Sequence, residues 1–313
     1  MIRLDLPLAV EIALGGVIGL LVVASATVAV LRRARPGRDY AELAARVGSW
    51  WVMVGIFAIA FVLGRRASIA LFAVVSFLAL KEYFSLIPTR RADRRVLFWA
   101  YLAIPFQYYW VAQAWYGMFI IFIPVYAFLF IPMRMVLTGE TQSFLRSAGT
   151  IHWGLMLMVF SLSHLAFLLS LPAAGNPIAG GAGLVLYLVF LTQFNDVAQY
   201  VWGKTFGKHK IVPAVSPKKT VEGFLGGVAT TTALGWLLAP WLTPLSDVHG
   251  AVAGLAIGIA GFIGDVNISA LKRDLGVKDS GQLIPGHGGV LDRVDSLTYA
   301  APLFFHFVRY FYY

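Results

Sequence analysis

The sequence predicts an all-α polytopic membrane protein of about nine to ten transmembrane helices. Hydrophobic residues form 59% of the chain, whereas a soluble domain is about 45–50% apolar. Only 13% of the residues are charged, and the mean hydropathy is +0.77. Apolar segments recur along the whole chain, and no polar stretch between them is large enough to fold alone.

Ten apolar segments approach the length of about 20 residues that a helix needs to cross a bilayer. In chain order they are approximately Leu8–Leu31, Trp50–Gly64, Ser68–Ile87, Val96–Trp115, Gly117–Leu137, Ile151–Leu171, Gly181–Trp202, Gly223–Leu242, Ala251–Leu271 and Ser296–Tyr313. The second and the last are short, so we expect them to be tilted, broken or partly interfacial.

The first segment has to be distinguished from a signal peptide, because Ala24-Ser25-Ala26 resembles a small-residue cleavage site. The apolar stretch from Ala9 to Leu31 is nevertheless long enough to span a membrane. Arg32 and Arg33 follow it directly, as in a stop-transfer flank. We therefore predict a retained transmembrane helix.

Basic residues predict the orientation, since cytoplasmic loops of membrane proteins are enriched in Lys and Arg. Five basic loops alternate with loops that carry little positive charge: Arg32 to Arg46, Arg90 to Arg95, Arg134 to Arg146, Lys204 to Lys219, and residues 265–295. Alternation places all five in the cytoplasm and the N-terminus outside. Arg65-Arg66 disagrees, and we expect either a kinked hairpin there or arginines that reach the headgroups.

Residues 265–295 concentrate charge in an otherwise apolar chain, with five Asp, two Lys, two Arg, one His and five Gly. Such a cluster near a membrane is a functional-site hypothesis. The chain has no Cys, which excludes disulfides, thiolate catalysis and Cys-based metal sites. Asp carboxylates suit Mg²⁺, and Lys and Arg bind phosphate oxygens. The segment therefore indicates metal-assisted chemistry on phosphates, with a structural salt-bridge network as the alternative.

The spacing within this segment carries a family resemblance. Ser269, Lys272 and Arg273 are followed by Lys278-Asp279-Ser-Gly281 and then by Pro285-Gly-His-Gly-Gly-Val-Leu-Asp-Arg-Val-Asp295. This pattern resembles the signature of the phosphatidate cytidylyltransferase (CDP-diacylglycerol synthase) family. The resemblance covers roughly residues 46–313, and it leaves residues 1–45 as an N-terminal extension with one transmembrane helix.

A second block strengthens the resemblance. Asp196 lies within a predicted membrane helix, and the run from Ser216 to Gly223 reads Ser-Pro-Lys-Lys-Thr-Val-Glu-Gly. Ser216 suits a helix N-cap and Pro217 suits the first turn, so we expect a helix start whose N–H groups bind an anion. The alternative is a capped helix in a basic loop without a ligand.

The resemblance implies nucleotidyl transfer from CTP to phosphatidic acid, giving CDP-diacylglycerol and pyrophosphate, with catalytic loops on the cytoplasmic side. The catalytic residues would be Asp265, Ser269, Lys272, Arg273, Asp292 and Arg293. The substrate-binding residues would be Asp196, Ser216, Lys218, Lys219, Thr220, Lys278, Asp279, His287, Gly288 and Gly289. Asp265, Asp292 and Asp295 would hold Mg²⁺, as one or two ions.

The expected partners are CTP and phosphatidic acid from the bilayer, which would enter by a lateral opening. A homodimer stays open, and nucleic acid is not expected because the basic residues are spread over separate loops. The expected location is the bacterial inner membrane, with the active site facing the cytoplasm. Two other functions stay open: a CTP-dependent polyprenol kinase, distinguished by its CDP product, and an ion-coupled transporter.

Overall fold

The computed structural model describes residues 6–35, 37, 39–88 and 94–313, which form a bundle of helices. Eight helices are long and apolar enough to cross a membrane: α1 (Leu8–Ala34), α2 (Ala41–Val62), α3 (Arg65–Leu86), α5 (Tyr116–Val136), α6 (Phe144–Leu168), α7 (Gly180–Phe206), α8 (Val221–Leu242) and α9 (Asp247–Asp274). Three further helices complete the bundle: α4 (Arg94–Ala112), the short α10 (Leu291–Val294) and α11 (Leu297–Tyr312). The described part contains no strand, only two isolated β-bridges.

The prediction of an all-α polytopic membrane protein is therefore confirmed, and each of the ten apolar segments lies on a helix. The second apolar segment is short, but the helix that contains it is unbroken and long enough to cross a membrane. Helix α2 has 22 residues because it begins at Ala41, and its first turns carry Glu42 and Arg46. These charged turns extend beyond the apolar stretch, so hydropathy alone underestimated the helix.

Arg65 and Arg66, which disagreed with the charge pattern, lie at a tight hairpin between α2 and α3. Gly64 makes the turn with φ of +94°, a conformation that glycine adopts without steric cost. The Arg65 guanidinium donates a hydrogen bond of 2.6 Å to the Ala112 carbonyl at the end of α4. This arginine thus satisfies a carbonyl at a helix C-terminus. Arg90 and Arg91 of the predicted second basic loop lie outside the described residues.

The helices alternate in direction, so α3, α7 and α9 end where α2, α8 and α11 begin. This end of the bundle, which carries most of residues 265–295, is called the motif end. Helix α6 is central, because 83% of its apolar 18-residue stretch is buried. Helices α1 and α2 are peripheral, with 17% of the corresponding stretch buried in each. The exposed faces of these peripheral helices suit contact with lipid.

Helices α7, α8 and α9 pack closely because small residues and buried hydrogen bonds lie between them. Gly254 of α9 faces the backbone of α8 around Thr231. Thr231 donates to the Asn195 side-chain oxygen at 3.0 Å, and the Asn195 amide donates to the Gly258 carbonyl at 3.1 Å. Asn195 thus ties α7 to both neighbours and fixes the adjacent Asp196 within the bundle.

We predict that Gly254→Ala destabilises the bundle. An added Cβ would lie 2.5 Å from the Thr231 carbonyl oxygen, so α8 and α9 must move apart. Overpacking of this kind costs about 1–3 kcal/mol. Thermal unfolding of the detergent-solubilised protein should show a lower Tm. Gly19→Ala on α1 is the matched control, because nothing lies within 4 Å of its added Cβ; equal Tm values would contradict the prediction.

Candidate active site

A cavity of about 220 Å³ at the motif end gathers most of the predicted site residues. Its walls come from α7, α9, α10 and the segment between α9 and α10. The lining residues are Gln193, Asp196, Asp265, Lys272, Asp279, His287, Asp292, Arg293 and Asp295. Asp265 and Asp292 therefore line the same cavity, although they lie near opposite ends of the segment.

A buried ion pair joins the two halves of this segment. The Lys272 ammonium of α9 lies 2.6 Å from Asp292 Oδ1, and both residues are less than one-tenth exposed. Asp292 Oδ2 accepts from the Ser280 and Gly289 amides at 2.8 and 3.0 Å, and from the Ser280 hydroxyl. Burial alone would raise the pKa of Asp292, but Lys272 and these amides outweigh it and lower the pKa. Through these contacts, Asp292 organises the loop between α9 and α10. A role of Asp292 as a metal ligand stays a prediction.

Glu82, near the end of α3, binds the same segment from the opposite side. Its carboxylate accepts from the amides of Val290 and Leu291, both at 2.9 Å, and from the Ser280 hydroxyl at 3.0 Å. The Glu82 carboxylate thus accepts hydrogen bonds from amide N–H groups at the start of α10, which have no acceptor within the helix. Glu82 therefore attaches the motif segment to the membrane helix α3.

Two glycines allow this close approach. Gly288 has φ of +85°, and a Cβ there would lie 2.6 Å from Asp292 Oδ2. A Cβ at Gly289 would overlap the side chains of Glu82 and Ser280. Both positions therefore require glycine for packing around the two carboxylates, whatever ligand the loop binds.

Lys219 connects the second sequence block to the cavity. Its ammonium lies 2.5 Å from Asp265 Oδ2 and 3.3 Å from the Gln199 side-chain oxygen. Ser269, one helical turn after Asp265, donates to Asp265 Oδ1 at 3.2 Å. Both predicted blocks thus meet at one carboxylate on α9.

Asp196 and Asp295 lie next to each other at the inner wall of the cavity. The Ser296 hydroxyl donates to the Asp196 carboxylate at 3.1 Å, and the Ser296 amide donates to Asp295 Oδ1 at 2.8 Å. Burial raises the pKa of Asp295 well above its ordinary value, and the charges of Asp265 and Asp196 raise it further. Within residues 6–35, 37, 39–88 and 94–313, no three acidic or histidine side chains converge closely enough to hold a metal ion.

Arg293 and His287 line the cavity with nitrogen atoms that the protein leaves free. Arg293 Nε and His287 Nδ1 are buried and have no hydrogen-bond partner among the described residues. Burial lowers the pKa of His287, and the charge of Arg293 lowers it further. His287 is therefore protonated less readily than a free imidazole, and Arg293 beside it supplies a cation.

The predicted helix start at Ser216 is wrong. Helix α8 begins at Val221 with Thr220 as its N-cap, whose hydroxyl accepts from the Gly223 amide at 3.1 Å. Glu222 does not cap the helix, because its carboxylate accepts from the backbone amides of Lys208 and His209. The extended backbone of Thr220, with φ of −125° and ψ of 155°, prevents an earlier start.

The remaining predicted residues lie near the cavity without entering it. Lys218 and Lys278 are exposed. Arg273 donates to the carbonyls of Val215 and Val277 at 3.1 and 3.0 Å, so it holds two loops together. The role of Lys218 and Lys278 in substrate binding and the role of Arg273 in catalysis stay predictions.

Three residues of the site were missed or underweighted from the sequence. Glu82 has a weak signal in the sequence: Lys81-Glu82-Tyr83 belongs to the family resemblance, but a charge at the end of an apolar segment is also common among interfacial residues. Ser280 and Gln193 gave no signal, because isolated polar residues have no pattern. Gln193 donates to the Arg293 carbonyl at 3.2 Å, and only the packing of α7 against α10 makes this contact.

A second, larger cavity of about 680 Å³ lies on the other face of α9, between the ends of α3 and α9 and the start of α6. Asn267, Ala270, Leu271 and Asp274 line it from α9. These positions recur three and four residues apart and so share one helix face. Its other walls mix apolar side chains with hydroxyl groups and Arg146.

The comparison with known proteins decides the family. The model of the cytidylyltransferase family matches residues 44–311. The chain belongs to this family. Cytidylyltransferases transfer a cytidylyl group, so the protein is an enzyme of the nucleotidyltransferase class, and the resemblance seen in the sequence is confirmed.

Several relatives support the assignment to the cytidylyltransferases. An uncharacterized Escherichia coli (strain K12) protein, YnbB, is 47% identical over 275 residues, which cover 88% of this chain and 90% of YnbB. The phosphatidate cytidylyltransferase of a Synechocystis strain is 51% identical over 114 residues, and that of a Haemophilus influenzae strain is 44% identical over 135 residues. These two matches cover 39% and 46% of the respective enzymes.

We predict that Glu82→Ala loosens the motif segment. It leaves the amides of Val290 and Leu291 without an acceptor, whereas the Ser280 hydroxyl keeps Asp292. One unsatisfied buried donor costs about 1–3 kcal/mol. The Tm should fall, and proteases should cleave more readily within residues 280–290. Glu82→Gln keeps one acceptor oxygen and should have a smaller effect. Glu11→Ala on α1 is the control, and an equal response of all three variants would contradict the prediction.

Proposed function

We propose that this cytidylyltransferase transfers a cytidylyl group from CTP to phosphatidic acid, giving CDP-diacylglycerol and pyrophosphate for phospholipid biosynthesis. The observation that carries the proposal is the cavity at the motif end, where Lys219, Lys272 and Arg293 surround a group of carboxylates. Relatives that match parts of this chain are phosphatidate cytidylyltransferases. A site at the ends of membrane helices suits one water-soluble and one bilayer-bound substrate.

In the proposed reaction, a phosphate oxygen of phosphatidic acid forms a bond to the α-phosphorus of CTP. The bond from that phosphorus to the oxygen of the β-phosphate breaks, and pyrophosphate leaves. No general base is needed, because the attacking phosphate is already ionised. Both reactants are polyanions, so the chain lowers the barrier by holding them together with fixed cations. Arg293 is suited to this role, since its buried Nε has no acceptor in the part of the chain that the structure describes.

The charge of the cavity supports a bound divalent cation. Five Asp carboxylates line it with Lys272 and Arg293, and Lys219 pairs with Asp265. Five carboxylates against three cations leave two formal negative charges, and carboxylate oxygens suit Mg²⁺. Because no three such side chains converge among the described residues, we propose that Asp265 and Asp295 would hold the metal and that substrate phosphates would complete its coordination. The metal would neutralise phosphate charge. The protein's own cations orient the two phosphates.

Metal removal tests this assignment. Excess chelator should abolish turnover, and added Mg²⁺ should restore it. Asp265→Asn should lower turnover by about 100-fold or more, which is roughly 3 kcal/mol of barrier. Asp247→Asn, at the other end of the same helix, is the matched control. Full activity of the metal-stripped enzyme would contradict the metal role.

The two lysines of the second block should differ in effect. Lys219 contacts Asp265, whereas Lys218 is exposed. Lys219→Ala should lower kcat/KM for CTP by about 10- to 100-fold, since hydrogen bonds to charged groups contribute about 1.5–3 kcal/mol. Lys218→Ala should stay within a few-fold of wild type. Steady-state kinetics at saturating lipid would measure this, and equal effects would contradict it.

The 680 Å³ cavity is our candidate for the acyl chains of the lipid. It combines apolar walls with Arg146 and hydroxyl groups, a lining that suits a phospholipid near its headgroup. Filling it with Ala270→Trp should raise KM for phosphatidic acid and leave KM for CTP nearly unchanged. Leu255→Trp, on an exposed part of α9, is the control. A rise in KM for CTP alone would contradict the assignment.

We propose that the motif end faces the cytoplasm of a bacterium and that the helices lie in its inner membrane. Eight apolar helices and bacterial relatives support this location. CTP is a cytoplasmic nucleotide, and Lys208, Lys218 and Lys278 at this end agree with the positive-inside rule. Cysteine labelling of position 218 from either side of the membrane tests the orientation.

The product distinguishes the proposed reaction from its rivals. Purified protein would be incubated with Mg²⁺, phosphatidic acid vesicles and CTP labelled at either the α- or the γ-phosphate. We expect α-label in the lipid and γ-label in pyrophosphate. A lipid kinase would release CDP and place the γ-label in lipid, and a transporter would form neither product. Either of those outcomes would overturn the proposal.

A further inference from the structure

The loop that carries His287 contacts α2, a helix outside the walls of the 220 Å³ cavity. Ile284, Pro285, Gly286 and His287 form a tight turn, closed by a hydrogen bond of 3.0 Å from the His287 amide to the Ile284 carbonyl. Gly286 has φ of +73°. Proline at the second position and a glycine with positive φ at the third are the signature of a type II turn.

Two side chains at the start of α2 hold the carbonyl groups of this turn. The buried Ser49 hydroxyl donates to the Pro285 carbonyl at 2.7 Å. Arg46 Nε donates to the Gly286 carbonyl at 3.1 Å, and its guanidinium is oriented by Glu42 at 2.5 Å. Trp50 of the same helix packs edge-on against the His287 ring, with centroids 5.9 Å apart. Three consecutive residues of the loop are therefore held from α2.

These contacts fix the direction of a free amide. The peptide bond between Pro285 and Gly286 is trans, so its N–H points opposite to its carbonyl. Because Ser49 binds the carbonyl, the Gly286 N–H points away from α2. The Gly286 amide donates to no acceptor among the described residues, whereas Gly288 is paired with Ile284 in an antiparallel bridge. A type I turn would reverse the central peptide and turn this N–H towards α2.

We infer that α2 is a positioning element of the active site. Ser49 and Arg46 hold the turn in the type II form, which presents the Gly286 amide to phosphate oxygens of the bound nucleotide. Backbone N–H groups in such glycine-rich turns form anion-binding concavities. The inference rests on the proposed use of CTP. Ser49 and Arg46 contact the loop and not the substrate, so they act through the loop conformation.

The test uses the full-length protein and the variants Ser49→Ala, Arg46→Ala and the double variant. Each single variant should raise KM for CTP about 3- to 10-fold, as expected for one lost hydrogen bond. The KM for phosphatidic acid should be unchanged, and kcat should change less than KM. Ser49→Thr keeps the hydroxyl and should restore the kinetics, and Arg46→Lys should restore them in part.

Hydrogen–deuterium exchange provides a readout that does not depend on turnover. Peptides covering residues 284–289 should exchange faster in the variants, and CTP should protect them in the wild type. Ser25→Ala is the matched control, because Ser25 accepts from Trp51 of α2 and lies away from the loop. It should leave both kinetics and exchange unchanged.

The outcomes separate this inference from the proposed reaction. Wild-type CTP kinetics, or unchanged loop exchange, in the double variant would overturn the role of α2. Faster exchange with unaltered CTP affinity would equally overturn it, since the loop would then be held for stability alone. If the wild type binds CTP with loop protection but forms no CDP-diacylglycerol, the proposed reaction fails while the role of α2 stands.

Discussion

The buried ion pair between Lys272 and Asp292 is the interaction on which the rest of the site depends. Removing one partner of such a pair leaves an uncompensated charge and costs several kcal/mol. The amides of Ser280 and Gly289 also donate hydrogen bonds to Asp292 and so hold its carboxylate in place. The ion pair therefore joins the end of α9 to the return segment, and it places Asp295 and Arg293 opposite Asp265.

The same constraint explains why distant helices meet at the motif end. Charges near a bilayer need partners or a polar cavity, and the motif segment supplies both donors and acceptors. Glu82 of α3 accepts from its amides, and Arg46 of α2 donates to its carbonyls. Lys219 reaches Asp265 from the loop before α8. The polar site thus acts as the connection among helices whose other faces contact lipid.

This arrangement suits a reaction between two polyanions of different solubility. The polar cavity and the larger amphipathic cavity lie on opposite faces of α9. A nucleotide needs fixed cations and a dry, preorganised site, whereas a phospholipid needs apolar walls near the headgroup level. One helix that separates the two environments, with Asp265 and Ser269 on one face and Ala270 on the other, meets both needs.

The sequence by itself determined the helical membrane class, the approximate positions of the ten apolar segments, and the two blocks that meet at Asp265. These follow from composition, segment length and residue spacing, which are local properties. Only the tertiary structure decided that Glu82, Ser49 and Arg46 hold the motif loop, that Thr220 and not Ser216 caps α8, and that Lys219 and not Lys218 pairs with Asp265. Each of these depends on contacts between residues far apart in the chain or on the direction of a side chain, and neither leaves a periodic signal in the sequence.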